Sequence, residues 1–494
     1  MINLSMATDA IRLPAHRTAS FQARFPSPDS KEDPLTPTRG SKSSSPLRPA
    51  ARLGALLALL LLCAMPAFAQ PQVPDTPAGH TLSAWLDAFN SGDQAKIDAY
   101  IKTHDPKSTP DFFHNFRAQT GGFDLLAIES SEPLQIKFRV KEKASTTVAI
   151  GSILLNTAEP HTVDNFGLRA IPPGAVVENI KIDAAERQLV IDGIASNLTE
   201  SYVYPEVAQK MIDAVRAHQK SGDYDRIVDG DAFSFKLTAD LREVSHDRHL
   251  HVNFSSVKNP MDNDDEPTPE EKAEYRKETE HDNCGFRKVE ILPGNIGYLK
   301  FDMFGDAEVC GPSLVAAMGF LAHVEAIIYD MRDNGGGDPA MVAMACTYLF
   351  DKPTHLNDLY DRKEDKTTQY WTLPYVPGTS LAGKPVYVLT AHRTFSGAEE
   401  FTNDLKTQKR ATIVGEVTGG GAHPVADHRI DEHFTIGVPY ARAVNPITHT
   451  DWEGSGITPD VPVKAADALE TAEKLATDKI QAEQKQPENK PLGP

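Results

Sequence analysis

Between residues 285 and 465, short apolar runs alternate with helix-like stretches, and that alternation restricts the fold more than any other feature of the chain. The runs are "NIGYLKF", "VEAIIYDMR", "PVYVLTA" and "ATIVGEV". Between them lie "PSLVAAMGFLAHV", "DPAMVAMACTYLF" and "SGAEEFTNDLKTQ". Strands without a polar face must be covered on both sides, so the pattern predicts a layered α/β domain with buried strands.

Two junctions in this region carry residues suited to chemistry. In "TAHRTFSGAEEF" (390–401), a buried run ends in a turn and Ser396 opens a helix. Ser396 is well placed as an N-cap, with Glu399 three positions on completing a capping box. The same position suits a nucleophile, because the turn exposes the hydroxyl and the helix N-terminus offers free N–H groups to a developing oxyanion. One serine can serve both roles. In "YDMRDNGGGDP" (329–339), a strand end runs into three glycines and then a helix. Glycines there let backbone N–H groups point into a cavity. A phosphate cradle is the competing use, but no Gly-Lys-Ser/Thr follows.

The rest of the chain reads as separate blocks. Residues 78–172 form a small α+β accessory unit. Leu82, Trp85, Leu86 and Phe89 fall at helical spacing, and "LQIKFRVK" alternates strictly, with Leu134, Ile136, Phe138 and Val140 on one face. Helices followed by a curved sheet resemble the cystatin-like roll of nuclear transport factor two. "AIPPGAV" (170–176) marks a boundary, and 183–257 is a mainly helical subdomain with Val207, Met211, Ile212 and Val215 on one stripe and Phe235, Leu237, Leu241 and Val244 on another. Residues 258–284 are an acidic, exposed excursion with little to bury. The core occupies 285–470, and 471–494 is expected to be a disordered tail.

Residues 1–69 read as an N-terminal extension and a secretory signal. Arg48 and Arg52 lead the apolar run Leu53–Met65, and "AFA" (67–69) is a small-x-small cleavage site, with the cut before Gln70. The run is short for a bilayer span of about 20 residues, so stable membrane insertion is not expected after cleavage. The protein is therefore expected outside the cytoplasm, periplasmic or secreted. The formal charge of −19 and the lack of a basic stripe argue against nucleic acid as a partner. Cys284, Cys310 and Cys346 follow the signal at irregular spacing, which is neither a disulfide framework nor a metal site. Cys284 and Cys310 are candidates for a bridge in an oxidising compartment, and buried free thiols fit the spacing equally well. His392, His423, His428, His433 and His449 fall in no metal-ligand pattern, and "DHRIDEH" (427–433) reads as a solvated face.

"GYLKFDMF", "IIYDMRDNGGGD", "VLTAHRTFSGAEEF", "IVGEVTGGG" and "GSGITPDVPV" occur in the order seen in the C-terminal-processing (tail-specific) serine protease family, and the chain resembles that family over roughly residues 185–470. The resemblance implies a crotonase/ClpP-like α/β spiral core, Ser396 as nucleophile, and oxyanion donors at the N–H groups of Gly336 and Gly397. It also departs from the family. Gly421 stands where the bacterial enzymes carry the lysine of a Ser–Lys dyad, and there is no room for the usual PDZ insert. The better likeness is to the branch that resembles the tricorn core and interphotoreceptor retinoid-binding protein, whose base is a histidine supported by a glutamate. In "REVSHDRHLHVNF" (242–254) this implies His249 as base, with Ser245–His246 as the alternative pair, because Arg248 stands where that branch has a serine. In "DWEGSGITPDVPV" (451–463) it implies Glu453 as support. The expected activity is acyl-transfer hydrolysis of peptides or unfolded protein tails without cofactor or metal. The rival is a non-catalytic binding protein for a hydrophobic ligand or peptide on the same fold.

Overall fold

The computed structural model describes residues 2–3, 71–106, 108, 110–171, 174–178, 180–258 and 268–485. The signal-like segment at 48–69 lies outside them. Within the first seventy residues, read above as extension rather than fold, Ile2 and Asn3 pair in parallel with Phe166 and Gly167. No helix among the described residues is long and apolar enough to cross a membrane.

The N-terminal part has helices at Pro77–Ser91, Gln94–His104 and Pro110–Thr120, followed by an antiparallel meander of Phe123–Ser131, Gln135–Glu142, Val148–Leu155 and Val163–Ile171. Trp85 is fully buried, with Phe89, Phe123, Phe138 and Phe166 around it at ring separations of 4.9 to 5.8 Å. Ile136, Phe138 and Val140 are all fully buried, so the strict alternation of that strand does mark its core face.

Next come helices Ala184–Ser201, Pro205–Ser221 and Gly230–Ser245, and then the strand His251–Phe254. That strand pairs with Phe434–Pro439, which pairs with Val425–Arg429, so a distant hairpin closes this core. Phe233, Leu237 and Leu241 are its fully buried members on the third helix; Phe235, one position off the face, is not.

The largest sheet has six strands in the order Val461–Pro462, Thr412–Gly415, Val386–Thr390, Ala326–Asp330, Ile296–Phe301, Phe286–Leu292. All neighbours are parallel except the last pair. Ile327, Tyr329 and Val388 face helices Ala307–Phe320, Pro339–Thr347 and Gly397–Thr407. Ala326, Ile328, Tyr387 and Leu389 face the opposite way, against a helix at Ala468–Lys485. The expected layered α/β core is therefore present, and its strands read as continuous apolar runs because both faces are covered.

The expected disordered tail is corrected, and the exposed acidic excursion gains a helix. The tail is helical to Lys485 because Ala468, Ala472, Ala476 and Ile480 recur every fourth residue and bury against the sheet. The acidic excursion is helical over Pro269–His281, where Lys277 pairs with Glu274 and Arg276 with Glu280 along the exposed surface. Cys284 and Cys310 form a disulfide that ties the turn after this helix to the start of Ala307–Phe320; Cys346 is a buried free thiol.

Candidate active site

Three parallel strands, Ala326–Asp330, Val386–Thr390 and Thr412–Gly415, end on the same edge of the sheet, and the loops that leave them meet there. Ligands in open α/β sheets bind at such carboxyl ends. The loop after Val386–Thr390 is held on both sides. Thr394 Oγ1 donates to Met331 O at 2.7 Å, Phe395 N–H donates to Asn334 O at 3.1 Å, and Gly419 N–H donates to Thr394 O at 2.9 Å.

Ser396 follows at the N-terminus of helix Gly397–Thr407 with φ 52° and ψ −122°. An ordinary N-cap is extended, whereas a non-glycine residue at this φ stores about 1–3 kcal/mol of strain that its surroundings must impose. The surroundings include Glu399, which is fully buried. Its Oε2 accepts the N–H of Ser396 at 2.9 Å and of Gly421 at 2.8 Å, and its Oε1 accepts Gly420 N–H at 2.7 Å and the Thr418 hydroxyl at 2.5 Å. Burial pushes the Glu399 carboxyl up against these four donors. The capping box read from the sequence is thus also the clamp that joins the serine turn to the glycine run at 419–421.

The triple-glycine loop lies directly against Ser396. A Cβ on Gly336 would sit 2.6 Å from Gly397 N and 2.7 Å from Ser396 Cβ. Gly336 donates its own N–H to Asn334 Oδ1 at 2.9 Å, so that donor is already engaged. The next amide borders the helix start, since a Cβ on Gly397 would be 2.9 Å from Gly337 N. The backbone nitrogens of Gly337 and Gly397 both border this junction.

His249 reaches this edge from the other core. Arg242 fixes its loop by donating to Leu250 O and Arg248 O, both at 2.7 Å, and His249 N–H donates to Asp247 Oδ1 at 3.0 Å. The His249 ring lies on Phe395, the residue before the serine, with centroids 4.6 Å apart. A Cβ on Gly421 would fall 2.3 Å from Phe395 Cζ and 2.6 Å from His249 Cε1. A side chain there would have to displace the Phe395 and His249 rings. Ser245 and His246 are occupied in ending the preceding helix. His246 is its exposed left-handed cap, donating N–H to Arg242 O at 2.8 Å, and Ser245 Oγ accepts Asp247 N–H at 3.2 Å. Arg248 donates to Gly419 O at 2.6 Å and lies over the Phe395 ring.

Glu453 lies on the same side as His249. Asp247, His249 and Glu453 each bring one oxygen or nitrogen to within 4.8 Å of the others, the one such three-residue cluster among the described residues. That spacing also suits a cation, but Asp247 already engages both oxygens, one with His249 N–H and the other with His423 Nδ1 at 2.7 Å. Glu453 Oε2 accepts Ala422 N–H at 2.6 Å, and Oε1 is buried without a partner among the described residues. Burial and the charge of Asp247 raise the Glu453 carboxyl to about 7. Burial alone would push Asp247 up, but the hydrogen bond and charge of His423 hold it below the usual carboxylate range.

Asp247 went unremarked in the sequence, and His423 was read there only as a histidine in no metal-ligand pattern, although each is two residues from a position that was singled out, His249 and Gly421. Below the serine, Glu400 and Asp404 are buried on successive turns of the helix, and burial raises Glu400 to about 8 and Asp404 well above its ordinary value.

Two family models match consecutive stretches of the chain. The model described as "Peptidase family S41" matches residues 295–463, and that described as "N-terminal domain of Peptidase_S41 in eukaryotic IRBP" matches residues 179–293. Carboxyl-terminal-processing peptidase 2, chloroplastic, of Arabidopsis thaliana is 28% identical over 189 residues, covering 35% of this chain and 34% of that protein. The match therefore spans about a third of the relative's length. Among solved structures, the photosystem II D1 C-terminal processing protease aligns at 15% identity over 59% of this chain and 97% of that one, with a TM-score of 0.36. The tricorn protease aligns at 12% identity over 72% and 41%, with a TM-score of 0.39.

Proposed function

The chain belongs to peptidase family S41, and we propose that it is an exported serine peptidase acting by acyl transfer on peptides or unfolded protein tails. The observation that carries this reading is the strained Ser396 turn, bordered by the Gly337 and Gly397 amides, with the His249 ring against Phe395, the residue before the serine. Ser396 Oγ attacks the scissile carbonyl while His249 takes its proton. The amides of Gly337 and Gly397 receive the oxyanion, a contribution of about 10²–10³ in rate per donor in comparable sites. His249 then protonates the leaving amine, and water hydrolyses the acyl-enzyme with His249 again as base. Glu453, with Oε1 unpartnered, accepts from the imidazolium and stabilises it.

The reading replaces Gly336 by Gly337 as donor, because the Gly336 N–H is engaged by Asn334. It keeps His249 over His246, because His249 lies on Phe395 whereas His246 is an exposed helix cap. Export rests on the Arg48–Ala69 segment of the sequence. Hydrolysis of a quenched fluorescent peptide library tests the activity. Turnover lost in Ser396→Ala supports it, whereas turnover that survives that change removes the serine mechanism.

A further inference from the structure

Behind the proposed base lies a second imidazole that the reaction scheme leaves idle. His423 is only 3% exposed, and its Nδ1 is 2.7 Å from Asp247 Oδ2 and 3.5 Å from Glu453 Oε2. Its Nε2 is buried without a partner among the described residues, so the two carboxylates are the ring's polar anchor. The Tyr204 ring meets it edge-on at 5.5 Å and fixes its plane. Asp247 passes the connection to the base, since its other oxygen holds the His249 N–H at 3.0 Å.

This arrangement solves an electrostatic problem. Asp247 and Glu453 are two buried carboxylates in one cluster, and like charges so placed keep one of them protonated. A cationic ring between them lets both ionise. Opposing the burial that would discharge it, Asp247, Glu453 and Asp451 favour the charged form of His423. The other groups around the cluster are the Tyr202 hydroxyl, which donates to Asp247 Oδ2, His249 itself, and Arg442, which hydrogen-bonds Tyr204.

We propose that His423 is a positioning residue for His249: it bridges Asp247 and Glu453, fixes the loop that carries the base, and keeps Glu453 ionised to receive the imidazolium. The inference rests on the serine-peptidase reading, and its test separates the two. The readout is the rate of covalent inactivation by a fluorophosphonate between about pH 5 and pH 9, which needs no knowledge of the natural substrate. His423→Asn keeps an N–H for Asp247 but removes the charge; His423→Ala removes both.

For His423→Asn we expect a rate close to wild type at the alkaline end and an acidic limb moved upward by about half a pH unit or more, because Glu453 loses its neighbouring cation. For His423→Ala we expect a loss of roughly tenfold or more at every pH as the base loop shifts. An acidic limb that stays in place in the Asn variant, or variants that lower only the melting temperature, would overturn the inference while the labelled wild type keeps the peptidase reading. A folded wild type that does not react at all removes both.

Discussion

Gly421 shows how one absent side chain lets two rings pack together. Its Cα faces Phe395 and His249 so closely that even a methyl group would overlap both. Gly421→Ala should therefore displace the His249 ring and reduce fluorophosphonate labelling by about tenfold or more, with a smaller loss of stability; labelling at the wild-type rate would mean the ring is not held there. Gly421→Lys should be no better, since the amine would arrive by expelling the imidazole. At this scale Ser396, His249 and Glu453 could be nominated because motif order and residue type mark them, and their roles remain the proposal. The proposal of Gly337 in place of Gly336 could not come from the sequence, because it depends on where the Asn334 side chain points. Glu453 brings a pH dependence. With its carboxyl raised to about 7 and its ionised form needed, kcat/KM should fall as pH drops through that value. A flat profile from pH 5 to pH 8 would contradict that role.

The helix Gly397–Thr407 carries a conflict of its own. Glu400 and Asp404 are buried in the helix that Ser396 opens, and no cation appears among the groups that act on either. The unfolded chain ionises Glu400 near 4.5, whereas the folded chain holds the proton to about 8. Its contribution to stability is thus fully present below 4.5 and is lost as pH rises towards 8. Glu400→Gln should raise the melting temperature by a few degrees at pH 8 and by less at pH 5, read by calorimetry; a loss at pH 8 would show that the Asn357 hydrogen bond to the carboxyl outweighs its burial. The central strands were legible because burial on both faces leaves continuous apolar runs. The helix Ala468–Lys485 was not, because its buried face is mostly alanine amid Lys, Glu and Asp. Alanine adds little to a hydrophobic pattern yet lets a helix approach a sheet closely. Removing residues 468–485 should expose Tyr298, Ile328 and Leu389 and give aggregated protein, measured as the soluble fraction.

Across the whole molecule, the two outer cores are joined by charge. Lys137, on the N-terminal sheet, is 13% exposed and pairs with Asp229 and Asp231 at 2.6 and 2.5 Å, at the start of the helix that ends at Ser245. Lys137→Met would leave two partly buried carboxylates without their cation and should cost about 3–5 kcal/mol in denaturant unfolding. A change below about 1 kcal/mol would make the contact incidental. No sequence pattern could have announced it, because it joins residues nearly a hundred apart. The proposed catalytic assembly has the same long-range character: it takes its base from the loop at 247–249, its nucleophile from 396 and its support from 453. The most direct test is mass-spectrometric mapping of a fluorophosphonate adduct on the purified protein, with His249→Ala alongside. A single adduct on Ser396, lost when His249 is replaced, is the predicted result. No adduct on folded protein, or an adduct whose rate ignores His249, would contradict it; the first would return Ser396 to a helix cap and favour a binding protein on this fold.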